Sequence, residues 1–327
     1  MSVLQVSDLD VRFATDRGWV TVVEGVSFAV EAGSTLGLVG ESGSGKTVTS
    51  LAMLGLLPPR TSRVPRGSIR LDGTELVGMP QKRLADIRGN DIAMIFQEPM
   101  SSLNPAFTIG DQIAETVRRH RKVSRKAAME RAVAALDQVG IPNAASRARS
   151  YPHEFSGGMR QRAMIAMAIC CEPKVLVADE PTTALDVTIQ AQMLDLLRQM
   201  RDELGMGMVF ITHDLGVVAD ICDRVVVMYA GQVVAADDVD HLFSHPPHPY
   251  AEGLLAAMPQ VGGAEWLATI PGQAPTPGAV PDGCRFHPRC PYAADRCAAG
   301  APELRLFDRH RATRCVRSDE LLLRGPA

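Results

Sequence analysis

No stretch of this chain stays apolar for the roughly twenty residues that a bilayer-spanning helix requires, so any membrane step it serves must be carried by another polypeptide. Excess positive charge is also missing. The 34 Lys and Arg are outnumbered by 37 Asp and Glu, for a net charge of −3. A nucleic-acid-binding domain is usually strongly basic, and that class is disfavoured. The start, Met1-Ser2-Val3-Leu4-Gln5, lacks the charged and apolar regions of a secretory signal, so none is expected and the chain is placed in the cytoplasm. Internal repeats and sustained heptads are absent, which argues against a solenoid or a long coiled coil. Close C-x2-C pairs are missing too, so the seven cysteines form no common zinc knuckle. What remains, 46% hydrophobic and 22% charged over 327 residues, is the composition of a globular chain of one large domain or two.

The first thirty residues alternate apolar and polar, as in Leu4-Gln5-Val6 and Val26-Ser27-Phe28-Ala29-Val30, the period of half-buried strands in an antiparallel layer. Thr35-Leu36-Gly37-Leu38-Val39 is almost wholly apolar, as suits a central parallel strand covered on both faces. A helix is predicted from Val48 to Leu57, stopped by Pro58-Pro59. Ile92 to Gln97, Val175 to Glu180, Met208 to Thr212 and Arg224 to Tyr229 read as further strands, the first ending in a glutamine and the second in two carboxylates, with a turn at Ala230-Gly231-Gln232. Between Asp111 and Val139 the composition turns helical, and its basic run Arg118 to Lys122 reads as a solvated face. Alternating strands and helices predict an α/β fold with a mostly parallel sheet.

Chemistry enters at Gly40-Glu41-Ser42-Gly43-Ser44-Gly45-Lys46-Thr47, a full match to the P-loop pattern. Gly40, Gly43 and Gly45 let backbone N–H groups, with those of Ser42 and Ser44, converge on phosphate at a helix start. Lys46 brings a positive charge to the β- and γ-phosphates of ATP, and Thr47 a hydroxyl to Mg²⁺. Asp179 ends an apolar strand where a carboxylate helps hold Mg²⁺. Glu180 follows it and, by the alternation of an extended chain, is expected to face the γ-phosphate and polarise water. Ser156-Gly157-Gly158 reads as an N-capped helix start with open donors.

This ordered set resembles the ATP-binding cassette (ABC) ATPases from about Leu4 to Met258. The resemblance implies an ABC-type P-loop core with an N-terminal antiparallel layer, and an inserted helical subdomain at about 98–160. It makes Phe155-Ser156-Gly157-Gly158-Met159 the signature that meets ATP held by an opposite subunit. Gln97 becomes the Q-loop residue near Mg²⁺, Asp186 the D-loop aspartate, and His213 the switch histidine. Phe13 matches the adenine-stacking aromatic, with Trp19 as its rival.

In finer detail the chain is similar to the ATPase subunits of bacterial dipeptide and oligopeptide importers. The matching segments are Phe96 to Pro105, Thr182 to Thr188, His245 to Tyr250 and Arg289-Cys290-Pro291-Tyr292-Ala293. That similarity implies a second homologous ATPase, two transmembrane permeases and an extracytoplasmic substrate-binding protein, with this chain peripheral on the cytoplasmic face of the membrane. The same subfamily handles nickel, glutathione, sugars and opines, and soluble ABC ATPases form a separate alternative.

The chain divides by composition at 258. Pro259 to Gly283 holds five prolines and five glycines and reads as a linker into a small extension, 259–327. There Cys284-x5-Cys290-x6-Cys297-x17-Cys315 gathers four thiols. Tails resembling this one carry a 4Fe–4S cluster in some members. Zinc, with His287 in the set, and reduced structural thiols are the alternatives.

Overall fold

A computed structural model describes residues 2–96, 102–183, 186–258 and 269–325. The chain forms two compact units. One comprises Ala32–Ser34 and Met79–Val209; the other comprises Ser2–Glu31, Thr35–Gly78 and Phe210 onward.

In the first unit β6 (Ile92–Ile95) and β7 (Val175–Asp179) run parallel, Ile92 opposite Val175 and Ile95 opposite Ala178. Every residue of β7 is buried, as expected of a strand covered on both faces. The helical subdomain is built from Ile109–His120, Arg125–Gln138 and Gly157–Ile169, packed on one another. Thr108 and Ser124 cap the first two, accepting from Asp111 N and Ala127 N, so the helical run breaks at residues 121–124. The basic run is divided in its role. Arg119 pairs with Asp86 on the surface, whereas Arg121 donates to Cys171 O at 2.8 Å.

In the second unit β1 (Ser2–Thr15), β2 (Gly18–Glu31), β4 (Ser62–Leu71) and β5 (Thr74–Glu75) form an antiparallel sheet in the order β2-β1-β4-β5. Leu4 and Val6 alternate inward as their spacing predicts, until a register shift at Asp8, in left-handed backbone at φ 47°, resets the phase for Leu9. The larger sheet of this unit runs β11 (Arg305–Leu306), β12 (Ala312–Thr313), β10 (Gln232–Asp238), β9 (Arg224–Tyr229) and β3 (Thr35–Val39). β3 and β9 are parallel, with Leu36 opposite Arg224. β9 returns into β10 as a hairpin through Ala230-Gly231.

The first helix is shorter than its sequence predicts. It spans Lys46–Met53 and is stopped by Gly55 at φ 61°, not by Pro58. Gly55 N donates to Ala52 O and Leu56 N to Leu51 O, the paired bonds of a glycine-terminated helix end.

Candidate active site

The phosphate loop lies in the second unit, between β3 and the helix Lys46–Met53. At Gly40 (φ 149°) an added Cβ would sit 2.2 Å from Met228 O, so only glycine fits. Lys46 is buried, and its Nζ donates to Gly40 O at 2.6 Å and Glu41 O at 3.0 Å, with Ser44 Oγ at 3.4 Å. Its ammonium is therefore held over the loop by the loop's own oxygens. Ser44 is buried, while Ser42, Gly43 and Thr47 are exposed at the mouth. Gly45, left-handed at φ 103°, opens the helix, and Gly43 adopts φ 80°.

Phe13 stands in β1 opposite Val20 of β2 and Ser62 of β4, and is half-buried. Trp19 is exposed and already covered on one face by Arg63, 4.1 Å from its ring centre. His213 follows β8 (Gly207–Thr212) and is exposed, beside Asp214, which caps the helix Leu215–Ile221 by accepting from Gly216 N and Val217 N.

In the first unit Asp179 closes β7 and is 5% exposed. Glu180 departs from the expected extended geometry. Its φ is 47°, so the backbone turns left-handed and strand alternation does not set its direction. Its carboxylate accepts from Thr183 Oγ1 at 3.0 Å. A glutamate in that region costs on the order of 1–3 kcal/mol, a strain that concentrates at functional positions. Ser156 caps the helix Gly157–Ile169, its Oγ accepting from Met159 N. Among the described residues, a Cβ at Gly157 would meet nothing within 4 Å, and one at Gly158 only Ile189 Cγ2 at 3.7 Å. Phe155 is buried and fills the core. Asp186 caps the helix Val187–Leu204 through Ile189 N at 2.9 Å. Gln97, Ala184 and Leu185 lie outside the described residues.

The tail contributes residues to which sequence reasoning assigned no role. Tyr250 Oη accepts from Glu41 N at 2.8 Å, and Arg289 grips the Glu41 carboxylate with both terminal nitrogens, at 2.6 and 2.9 Å. Phe286 stacks edge-on against Tyr229, 5.2 Å between centroids, and lies 5.2 Å from Tyr250. The only signal available was the segments His248-Pro249-Tyr250 and Arg289-Cys290, noted for their resemblance alone.

Cys284, Cys290, Cys297 and Cys315 line one small cavity with His287 and Tyr292, and none is in a disulfide. Burial raises the thiols of Cys284 and Cys315 and pushes Cys290 up to about 11, so the cavity disfavours bare thiolates. Among the described residues no three His, Cys, Asp or Glu side chains stand as a ligand group for one metal ion. The four cysteines expected as cluster ligands therefore share a cavity without standing as a formed ion site. His287 Nδ1 lies 2.8 Å from Cys284 O.

A phosphate loop, a strand-end Asp-Glu pair and a capped Ser-Gly-Gly helix start define a P-loop ATPase of the cassette class. Residues 23–183 match the ABC transporter family, and residues 235–297 match the oligopeptide/dipeptide transporter C-terminal region. A relative from Brucella melitensis, bearing the name of a peptide import ATP-binding protein, is 51% identical over 331 residues, covering 98% of each chain. Another so named, from Brucella abortus, is 51% identical over 313 residues, covering 95% of this chain and 94% of that one. The protein belongs to the ABC transporter family, as one of its ATP-hydrolysing, ATP-binding chains. Among solved structures, a subunit of the cbiONQ ABC transporter complex of Clostridium perfringens aligns with TM-score 0.63 at 25% identity, covering 74% of this chain and 90% of that one. A dimeric ATP-binding cassette bound to ADP and Pi aligns with TM-score 0.64 at 24% identity, covering 72% and 98%. The latter bears on the fold alone.

Proposed function

We propose that this chain is the ATP-hydrolysing subunit of a peptide importer, peripheral on the cytoplasmic face of the membrane. It works as a pair with a second homologous ATPase beneath two permeases, fed by an extracytoplasmic binding protein. The import reading is supported by the matched C-terminal region and by the relatives named for peptide import. Among the described residues no helix is long and apolar enough to cross a membrane.

The observation that carries the reading is the start of the helix Gly157–Ile169. Each helical glycine costs about 0.5–1 kcal/mol against alanine, yet among the described residues nothing comes within 4 Å of a Cβ placed at Gly157, and only Ile189 Cγ2, at 3.7 Å, approaches one at Gly158. Such a surface suits the phosphates of ATP presented by another subunit, met by backbone donors at a helix N-terminus.

In this reading the P-loop amides, Ser42, Ser44 and Lys46 bind the phosphates, Phe13 stacks on adenine, and Asp186 fixes the entry of the helix it caps. Thr47, Asp179 and Gln97 are the oxygen donors for Mg²⁺, which when bound neutralises phosphate charge. Glu180 takes the proton of the attacking water at its carboxylate, and His213 donates a hydrogen bond to the γ-phosphate.

Gly158→Ala tests the signature role. It should stabilise the isolated chain by up to about 1 kcal/mol and sharply lower ATP turnover of the assembled transporter. Glu180→Gln, with the partner ATPase also disabled, should retain ATP and lose about 10²–10⁴-fold in rate. Near-normal turnover in both would remove these assignments.

For the tail, we propose a 4Fe–4S cluster on Cys284, Cys290, Cys297 and Cys315. What supports a shared ligand is that all four thiols line one cavity; zinc on the same cysteines is the competing reading. Anaerobically purified chain should hold about four irons and four sulfides; stoichiometric zinc, or four titratable tail thiols, would overturn this.

A further inference from the structure

The residue after the first P-loop glycine is tied to the tail. Glu41 receives both terminal nitrogens of Arg289, whose side chain is 6% exposed. The remaining Arg289 donors are also engaged: Nε on Pro271 O at 2.9 Å, Nη2 on Ile270 O and Nη1 on Tyr229 Oη, each at 3.3 Å. Glu41 N donates to Tyr250 Oη, so the peptide at 41 is gripped from its side chain and its backbone. The carbonyls of Gly40 and Glu41 are the ones that receive Lys46 Nζ. A fork-to-fork pair fixes direction as well as distance, and here it fixes the peptides that aim the lysine.

A second arginine, Arg285, donates to Ala230 O and pairs with Glu24. The next residue, Gly231 at φ 85°, donates from its N to Ser44 O at 2.9 Å, and a Cβ there would lie 2.2 Å from Val22 O. The segment between Cys284 and Cys290 therefore reaches the phosphate loop at two places: directly at Glu41, and at Ser44 through the Ala230-Gly231 turn. Both arginines adjoin a cysteine of the cavity.

We propose that Arg289 is a positioning residue for the nucleotide, acting through Glu41, and that the tail segment 284–290 is a clamp coupled to ATP binding. The inference rests on the ATPase activity of the chain and not on what occupies the cysteine cavity. Coupling of this kind is reciprocal. A tail that orders the loop raises affinity for ATP, and ATP in turn orders the tail.

The test uses the full chain with MgATPγS, measuring its Kd and, by hydrogen exchange, the protection of residues 284–297. Arg289→Ala should weaken binding about tenfold, the loss of a charged hydrogen-bonded pair, and Glu41→Gln should do the same. The double variant should be no weaker than the worse single one, because one interaction is removed twice. Arg289→Lys, which keeps charge without the fork, should recover only part. In the wild type, nucleotide should raise protection at 284–297, and in Arg289→Ala that rise should vanish. Additive losses, or an unchanged Kd with only a lower melting temperature, would overturn the proposal. If Arg289→Ala fails to fold, wild-type protection that ignores bound nucleotide overturns it equally. Wild type that binds no nucleotide would instead strike at the ATPase reading itself.

Discussion

Single residues divide sharply by how much local sequence says about them. The places of Lys46, Asp179 and Ser156 were legible because they follow from neighbours in the chain: a glycine-rich turn, an apolar strand, a helix start. Glu180 was legible as a residue and not as a geometry, since a left-handed φ at a non-glycine leaves no mark in composition. Glu41 and Arg289 were illegible, because 248 positions separate them and nothing local announces the pair. His248 belongs with these. It is 1% exposed, and its Nδ1 accepts from Tyr250 N at 3.0 Å, capping the helix Pro249–Ala256. Burial, with Arg314 nearby, pushes its pKa down to about 3. In the unfolded chain it titrates near 6.5. Between those values the unfolded state binds a proton that the folded state refuses, so stability falls as pH drops, by up to about 1.4 kcal/mol per unit. His248→Asn keeps a capping acceptor without a titration. From pH 7 to 5 the wild type should lose about 2 kcal/mol more than this variant in urea unfolding. Equal losses would mean that His248 carries no such proton linkage.

Elements were legible where side chains signal the backbone directly. The apolar run of β3 and the alternation at the start of β1 correspond to observed strands, and Ser156 opens a helix by accepting a backbone N–H. Boundaries were less so. Pro58-Pro59 is the louder stop signal, yet Gly55 ends the first helix sooner, because a left-handed residue satisfies the last carbonyls in place. The basic run shows the limit from the other side. Charge alone predicts a solvated face, but Arg121 spends its charge on a carbonyl at the far end of another helix. What an element does with its surface is decided by the neighbour it meets, and that neighbour is set by the fold.

At the scale of the whole chain, proline and glycine punctuate the sequence at 259–283 and mark an extension, but punctuation measures chain stiffness and says nothing about docking. The described tail belongs to the same compact unit as β1 to β5, and the matched C-terminal region begins at residue 235, inside β10. β12 lies along β10, Ala235 opposite Thr313 and Ala236 opposite Ala312, while Arg314 N donates to Val234 O at 2.8 Å. Thr313 Oγ1 reaches Pro247 O at 2.6 Å. Phe286 covers Tyr229 and Tyr250, both almost wholly buried. Ending the chain at Met258 would therefore bare the edge of β10, a row of unpaired backbone groups prone to aggregation, and expose an aromatic patch. It would also release Glu41. Loss of the Phe286 contacts alone should cost about 3–5 kcal/mol, a large part of the 5–15 kcal/mol typical of a folded chain. The truncated chain should melt many degrees lower, scatter light at concentrations where the full chain stays clear, and bind MgATPγS more weakly. A truncated chain with the melting temperature and nucleotide affinity of the full one would make the tail an appendage and remove it from the fold of the ATPase.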